Sequence, residues 1–269
     1  MENNIKEIYL KGLEKRKNAG FSTGIEDLDI FCKYLEAGNI MTIGGRPSMG
    51  KTNFAITLVN HLVNIRKNVL FISLEHSKEQ IVQRLVAEKI GTPLFRLLDG
   101  NVREEEVEII LNSYKDKSLE IVDKTNLSIE DIETKIQETK PDIVFVDYVQ
   151  LVEAPKAPNL TEAINLVIKE IKRIAVDNNV IVVLVSQLSR TVEGRINKHP
   201  MLSDLRNGSL LEEISDIILF LYRDEYYDSE AENPINEIII AKNSTGLTGV
   251  VTLDFRNGFF RNPAINNTF

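Results

Sequence analysis

The chain has 269 residues, 43% of them hydrophobic and 27% charged, which suits one large α/β domain or one domain with a small appendage. Its net charge of −8 excludes a generally basic nucleic-acid-binding surface, and its single cysteine, Cys32, excludes a disulfide framework or a cysteine metal cluster. No apolar run approaches the roughly 18 residues of a membrane span, and the polar start "MENNIKEIYLKGLEKRKNAG" is unlike a secretory signal, so a cytoplasmic, membrane-free setting is expected.

In chain order, residues 5–17 are expected to form a short helix with Ile5, Ile8, Tyr9 and Leu13 on one face, weakened by Gly12. "STGIEDLD" follows, with Ser22 or Thr23 placed to cap a helical turn. Strands and helices then alternate: a strand at 40–44, a helix at 50–66, a strand at 69–73 and a helix at 77–89. A helix at 104–116 places Val107, Ile110, Leu111 and Tyr114 on one face. A strand at 119–122, a helix at 128–139 and a strand at 143–147 come next. Residues 161–178 carry Ile164, Val167, Ile168, Ile171 and Ile174 at helical spacing. The apolar runs 180–186 and 216–222 read as buried strands. "EIIIAK" (237–242) and "VVTLDF" (250–255) read as a terminal hairpin. Continuous apolar strands separated by helices imply a mostly parallel sheet covered on both faces. Residues 153–160 and 187–202 are the long loops.

"GGRPSMGKTNFAITLVNHL" (44–62) contains the phosphate-loop pattern G-x-x-x-x-G-K-[ST], from Gly45 through Arg46, Pro47, Ser48, Met49, Gly50 and Lys51 to Thr52, with Asn53 next. Gly45 and Gly50 let the backbone turn tightly, so that N–H groups and a helix N-terminus surround phosphate oxygens. Lys51 is placed for the β- and γ-phosphates of ATP, and the Thr52 hydroxyl for Mg²⁺. Asp147 ends the apolar strand "IVFVD", where a second Mg²⁺-orienting acid belongs. Glu75 follows "VLFISL" and can polarise an attacking water. Gln187 follows "VIVVLVS" and can sense the γ-phosphate through its amide.

Residues 186–209 hold four cations (Arg190, Arg195, Lys198, Arg206) and two acids (Glu193, Asp204), a local charge of +2 on a chain of −8. That fits a loop that tracks phosphates while the exterior stays acidic. The segment has no aromatic residue to stack on bases.

Taken together, "GRPSMGKT", "FISLEHS", "VDYVQLV", "VSQLSRTVEGR", "HPMLSDLRNGS" and "LFLYRDEYY" resemble the C-terminal motor domain of DnaB-type replicative helicases, in that family's order. The likeness runs from about residue 22 to about residue 261. It implies a RecA-like α/β core, a mostly parallel sheet flanked by helices with a C-terminal antiparallel hairpin. Residues 22–269 would be the ATPase domain and 1–21 a linker-helix segment. It further implies ATP hydrolysis with Mg²⁺, 5′ to 3′ movement on single-stranded DNA in replication, and a homo-oligomeric, hexameric ring served by a primase or loader. Glu75 takes the place of the catalytic base, Asp147 of the Mg²⁺-site acid and Gln187 of the sensor. Arg206, Asn207 and Ser209 fall in the loop that grips DNA phosphates. Lys242 matches the lysine of the family's K-x-R, which acts on the neighbouring subunit's nucleotide.

The chain departs from the pattern in three places. Ser244 stands at the arginine of K-x-R, leaving Lys242, Arg256 or Arg261 as candidate substitutes. The family's N-terminal helical domain has no counterpart in this sequence. "LRNGS" moves the small residues of the DNA loop by one position. Two other readings remain: a RecA-like ATP-binding switch or loader that hydrolyses slowly until a partner completes its site, and a recombinase or clock-type RecA relative.

Overall fold

The structure, a computed structural model, describes residues 5–18, 21–154, 158–205 and 208–263. Helix α1 (Ile5–Asn18) leads to α2 (Glu26–Cys32). The α2 helix starts later than the sequence suggests, and neither Ser22 nor Thr23 is its N-cap. Both side chains instead donate to the Asp29 carboxylate, at 2.7 Å each. Then follow β1 (Ile40–Gly45), α3 (Lys51–Asn64), β2 (Val69–Ser73), α4 (Lys78–Ile90), α5 (Leu94–Leu98), α6 (Glu104–Asn112), β3 (Leu119–Val122), α7 (Ile129–Thr139) and β4 (Ile143–Asp147). The second half holds α8 (Leu160–Asp177), β5 (Ile181–Gln187), α9 (Gly208–Ile214), β6 (Ile217–Arg223), α10 (Asp224–Tyr227), β7 (Asn236–Asn243), β8 (Gly249–Thr252), β9 (Asp254–Arg256) and β10 (Phe259–Arg261).

The main sheet has the order β3-β2-β4-β5-β1-β6-β7-β8. The first six strands in that order are parallel, and β7 and β8 add antiparallel at one edge. The uniformly apolar strands are buried on both faces, which is what parallel pairing requires. Met41, Ile43, Phe71 and Phe145 point to a core built with α2, α3 and α4. Ile40, Leu70, Val144 and Val182 point to the other, built with α7 and α8. The five apolar positions read along 161–178 are all buried there, from Ile164 to Ile174. Ser77 and Ser128 cap α4 and α7 with reciprocal hydrogen bonds, which fixes where those helices begin.

Two expected boundaries shift. The 104–116 helix ends at Asn112. The expected 250–255 strand divides: β8 stops at Thr252, and residues 254–256 turn away to pair with β10. This second small hairpin packs on α3, where the Phe260 ring meets Phe54 edge-on at 5.9 Å. No helix among the described residues is long and apolar enough to cross a membrane.

Candidate active site

The carboxyl ends of β1, β2, β4 and β5 open onto one cavity of about 530 Å³. This is where parallel α/β sheets bind ligands. The phosphate loop forms its floor. Gly50 has φ +93°, a left-handed conformation that a side chain disfavours, and a Cβ there would stand 3.2 Å from the Phe255 ring. Gly45 leaves room for the Lys51 stem: a Cβ there would meet Lys51 Cγ at 3.1 Å. α3 then starts at Lys51 with its N-terminal N–H groups facing the cavity, a position that favours anions.

Lys51, Thr52, Glu75, Asp147 and Gln187 all line this cavity, so the structure brings together the residues singled out on separate strands. Thr52 Oγ1 donates to Asp147 Oδ2 at 2.7 Å. Burial pushes the Asp147 carboxyl above its ordinary range, and the Thr52 hydrogen bond works against that. Burial pulls the Lys51 amine down to about 8, opposed by the nearby Asp147 and Glu75 carboxylates. Lys51 Nζ rests on the Arg46 carbonyl at 3.0 Å.

The site is thus a buried cation beside a hydroxyl–carboxylate pair, which suits a polyphosphate carrying a divalent cation. Among the described residues no cluster of three or more His, Cys, Asp or Glu side chains is arranged to hold a metal by itself. A hard cation here would draw its remaining oxygen ligands from phosphate and water, the usual habit of Mg²⁺. Thr52 and Asp147 fit that role.

Not every member of the loop faces the cavity. Met49 is fully buried in the core. Arg46, 5% exposed, turns its guanidinium away onto Glu193 and the Leu188 carbonyl. Neither lines the cavity. Asn53 donates to the Gly258 carbonyl at 2.8 Å and accepts from Arg84 Nη1 at 2.7 Å.

Arg84, Arg223, His76 and Phe255 also line the cavity, and sequence reasoning does not single them out. Arg84 and Arg223 each bury an Nε without a partner. The Arg223 guanidinium lies 3.6 Å from the Phe255 ring centre. Arg84 stands seven residues after the Ser77 cap of α4, and an Asn-Gly turn at 257–258 announces the small hairpin; those are the available signals.

The remaining candidates lie elsewhere. Arg190 is exposed, and Ser209 is exposed at the start of α9; Arg206 and Asn207 lie outside the described residues. Arg195 has a different place from the one expected. Both its terminal nitrogens donate to the buried Asp204 carboxylate at 2.7 Å, so its charge is committed within the chain. Lys242 Nζ donates to the Glu212 and Glu213 carbonyls at the end of α9. The antiparallel register pairs Lys242 with Ile218 and Asn236 with Arg223. Lys242 and Ser244 therefore sit at the end of the sheet opposite the cavity, roughly 20 Å away at about 3.3 Å per residue. Arg256 is paired with Asp254, and Arg261 with the Glu88 backbone and carboxylate; neither lines the cavity.

A RecA-like sheet with a phosphate loop after β1, and carboxylates just beyond the ends of β2 and β4, defines a phosphate-loop nucleoside-triphosphatase domain. Residues 20–262 match the family model of the DnaB-like helicase C terminal domain, and the chain belongs to that family. It is 38% identical over 253 residues to a probable replicative DNA helicase of Trieres chinensis, covering 88% of this chain and 55% of that protein. It is 33% identical over 271 residues to the replicative DNA helicase DnaC of Bacillus subtilis (strain 168), covering 94% and 60%. The chain spans between about half and three fifths of the curated relatives it matches. A solved structure described as an ATPase domain superposes with a TM-score of 0.89 at 34% identity, covering 97% of this chain and 99% of that one. A structure described as a DnaB-like replicative helicase and its interactions with primase gives the same TM-score and identity, covering 97% and 68%.

Proposed function

We propose that this chain is an ATP-hydrolysing motor that moves along single-stranded DNA from 5′ to 3′ in replication, working as a ring of identical chains. The observation that carries the reading is the convergence of Lys51, Thr52, Glu75, Asp147 and Gln187 on one cavity whose β5 wall runs directly into the 188–205 segment. Relatives named as replicative helicases support it over the switch, loader and recombinase readings.

Lys51 and the α3 N-terminus hold the β- and γ-phosphates of ATP. Thr52 and Asp147 would hold Mg²⁺, which when bound would neutralise phosphate charge. Glu75, at the cavity rim, takes a proton from the attacking water as the terminal phosphate leaves. Arg84 adds an in-chain cation, with one N–H unspent. The Phe255 ring and the planar Arg223 group offer a surface on which a purine stacks. Gln187 touches the end of the cavity from which the DNA segment departs. Arg190, Ser209 and the adjoining Arg206 and Asn207 contact DNA phosphates.

Ring assembly has two supports. Lys242 is too far from its own chain's cavity to serve it, so any action on a nucleotide is on a neighbour's. The α1 helix leaves Ile5 82% and Tyr9 64% exposed, an apolar face that a second copy would cover. A primase or loader as a further partner is part of the same proposal, since a structural neighbour is described with primase.

The test is steady-state ATP hydrolysis with and without single-stranded DNA at several protein concentrations. Stimulation by DNA that grows with concentration is expected. Slow hydrolysis indifferent to DNA would instead favour the switch or loader reading.

A further inference from the structure

One buried side chain joins the phosphate loop to the segment that leads to the DNA loop, and it is not the sensor Gln187. Arg46 is the first variable residue of the phosphate loop. Its Nη1 donates to the Leu188 carbonyl at 2.8 Å, immediately past Gln187. Its Nε and Nη2 donate to Glu193 Oε1 at 2.8 and 2.6 Å. Its own carbonyl accepts the Lys51 ammonium at 3.0 Å. The same residue therefore touches the phosphate-binding lysine through its backbone and Glu193 through its side chain.

Beyond Glu193 the contacts continue without a gap. Glu193 belongs to the single turn Arg190–Gly194, which the fully buried Val192 anchors. Arg195 follows and clasps the buried Asp204. Asp204 also accepts from the Met201 N–H at 2.8 Å, and its carbonyl accepts from Ser189 N–H at 2.7 Å. Leu188 pairs with Leu205 across the base. Residues 188–205 thus form one braced unit. It is joined to the phosphate loop through Arg46 and ends where the expected DNA-gripping residues 206–209 begin.

We propose that the Arg46–Glu193 ion pair is a positioning contact that couples phosphate occupancy at Lys51 to the grip of residues 206–209 on single-stranded DNA. The inference rests on the function proposed above. When Lys51 leaves the Arg46 carbonyl for a phosphate, the Arg46 peptide loses a partner. Any shift of that residue is passed to Glu193, because a buried guanidinium does not give up its counter-charge cheaply. Glu193 itself touches neither nucleotide nor DNA in this scheme. Removing it should leave each ligand's own site intact and uncouple the two.

The experiment measures linkage by binding alone. Affinity for a fluorescent non-hydrolysable ATP analogue is titrated with and without an oligothymidine, and oligothymidine affinity with and without the analogue. The two ratios must agree, and for the unmodified chain a ratio within the usual range of roughly 5–150-fold is expected. In Glu193→Ala the ratio is expected to fall to within about 2-fold of unity, while each ligand alone binds within about 3-fold of the unmodified chain. Glu193→Gln keeps an oxygen for both N–H groups but not the charge, and should retain an intermediate ratio. It also carries the test if the alanine variant fails to fold: a ratio equal to the unmodified chain's overturns the proposal. An undiminished ratio in Glu193→Ala overturns it as well and leaves coupling to Gln187. Loss of either ligand's own binding would make Glu193 part of a site and overturn the positioning role. An unmodified chain that shows no linkage overturns this inference together with the reading beneath it.

Discussion

Lys51 shows how much of the site's behaviour resides in one residue. Its amine is held down to about 8 because folding buries it before any phosphate arrives. Between pH 8 and the ordinary 10.5, the unfolded chain binds more protons at this position than the folded one, so the unliganded chain gains stability as pH rises through that window. Below pH 8 the cost of burying the charge is present in full. Lys51→Met should therefore raise the melting temperature of the unliganded chain at pH 7 while abolishing hydrolysis, measured by thermal melts and phosphate release. Nucleotide affinity has the opposite trend. A polyphosphate needs the charged amine, so above pH 8 binding must take up a proton. Affinity should be flat below about pH 7.5 and then weaken by up to about tenfold per pH unit. Binding that stays flat to about pH 9.5 would show that the free amine is not held down to about 8 or that it is not the phosphate cation, and Lys51→Met binding separates the two. Glu75 separates binding from chemistry: Glu75→Ala should keep the nucleotide and lose turnover by roughly 10²–10⁴, the usual worth of a general base. Normal turnover in that variant would reassign the base.

At the scale of elements, the strand–loop–helix of the phosphate loop is legible in the sequence because β1, the glycines and α3 are contiguous. The buried strands are legible because parallel strands covered on both faces are apolar throughout. Asp147 and Gln187 stand out because a polar residue ending such a strand has few places to go, and Glu75 because it follows one within two residues. Arg84 and Arg223 do not: an arginine on a helix or at a strand end reads as solvated until the neighbouring hairpin is seen to bury it. That hairpin, β9–β10, is the element the sequence hides. Its strands are only three residues each, and the apolar run before it reads as one continuous strand. Yet it closes the cavity, because Phe255 packs on Phe260 at 4.9 Å and Phe260 on Phe54 in α3. Phe260→Ala removes a fully buried ring and should cost about 3–5 kcal/mol of stability. It should also release Phe255 and weaken nucleotide binding. Weakened stability with unchanged nucleotide affinity would show that the hairpin does not shape the site.

At the scale of the whole molecule, the antiparallel edge settles what Ser244 can do. The register places the turn after β7 at the far end of the sheet from its own cavity. The Ser244 N–H is tied to the Asp216 carbonyl at 2.8 Å, and the turn is exposed, with Leu247 77% accessible. A residue on that turn is out of reach of its own chain's cavity, and in the ring proposed above it would act on another copy. Arginine fingers supply roughly 10³–10⁵ in rate, and a serine hydroxyl has no delocalised charge to offer a leaving phosphate. Arg256 and Arg261 are spent on acceptors within their own hairpin and on α4. Among the described residues, the lysine and arginines that line the cavity are Lys51, Arg84 and Arg223. The unmodified chain should therefore hydrolyse slowly even when assembled. Ser244→Arg should raise DNA-stimulated turnover by at least about 10-fold, a fraction of what a finger supplies because the rest of the site has not adapted to it. The gain should arise only where the protein is concentrated enough to assemble, followed by sedimentation alongside hydrolysis. Mixing Ser244→Arg chains that also carry Lys51→Met with unmodified chains separates donor from recipient. If the new arginine acts across the interface, the mixture gains activity although the chain bearing the arginine cannot hydrolyse. A gain confined to unmixed Ser244→Arg, or one independent of concentration, would mean that the turn acts within its own chain, contrary to the register.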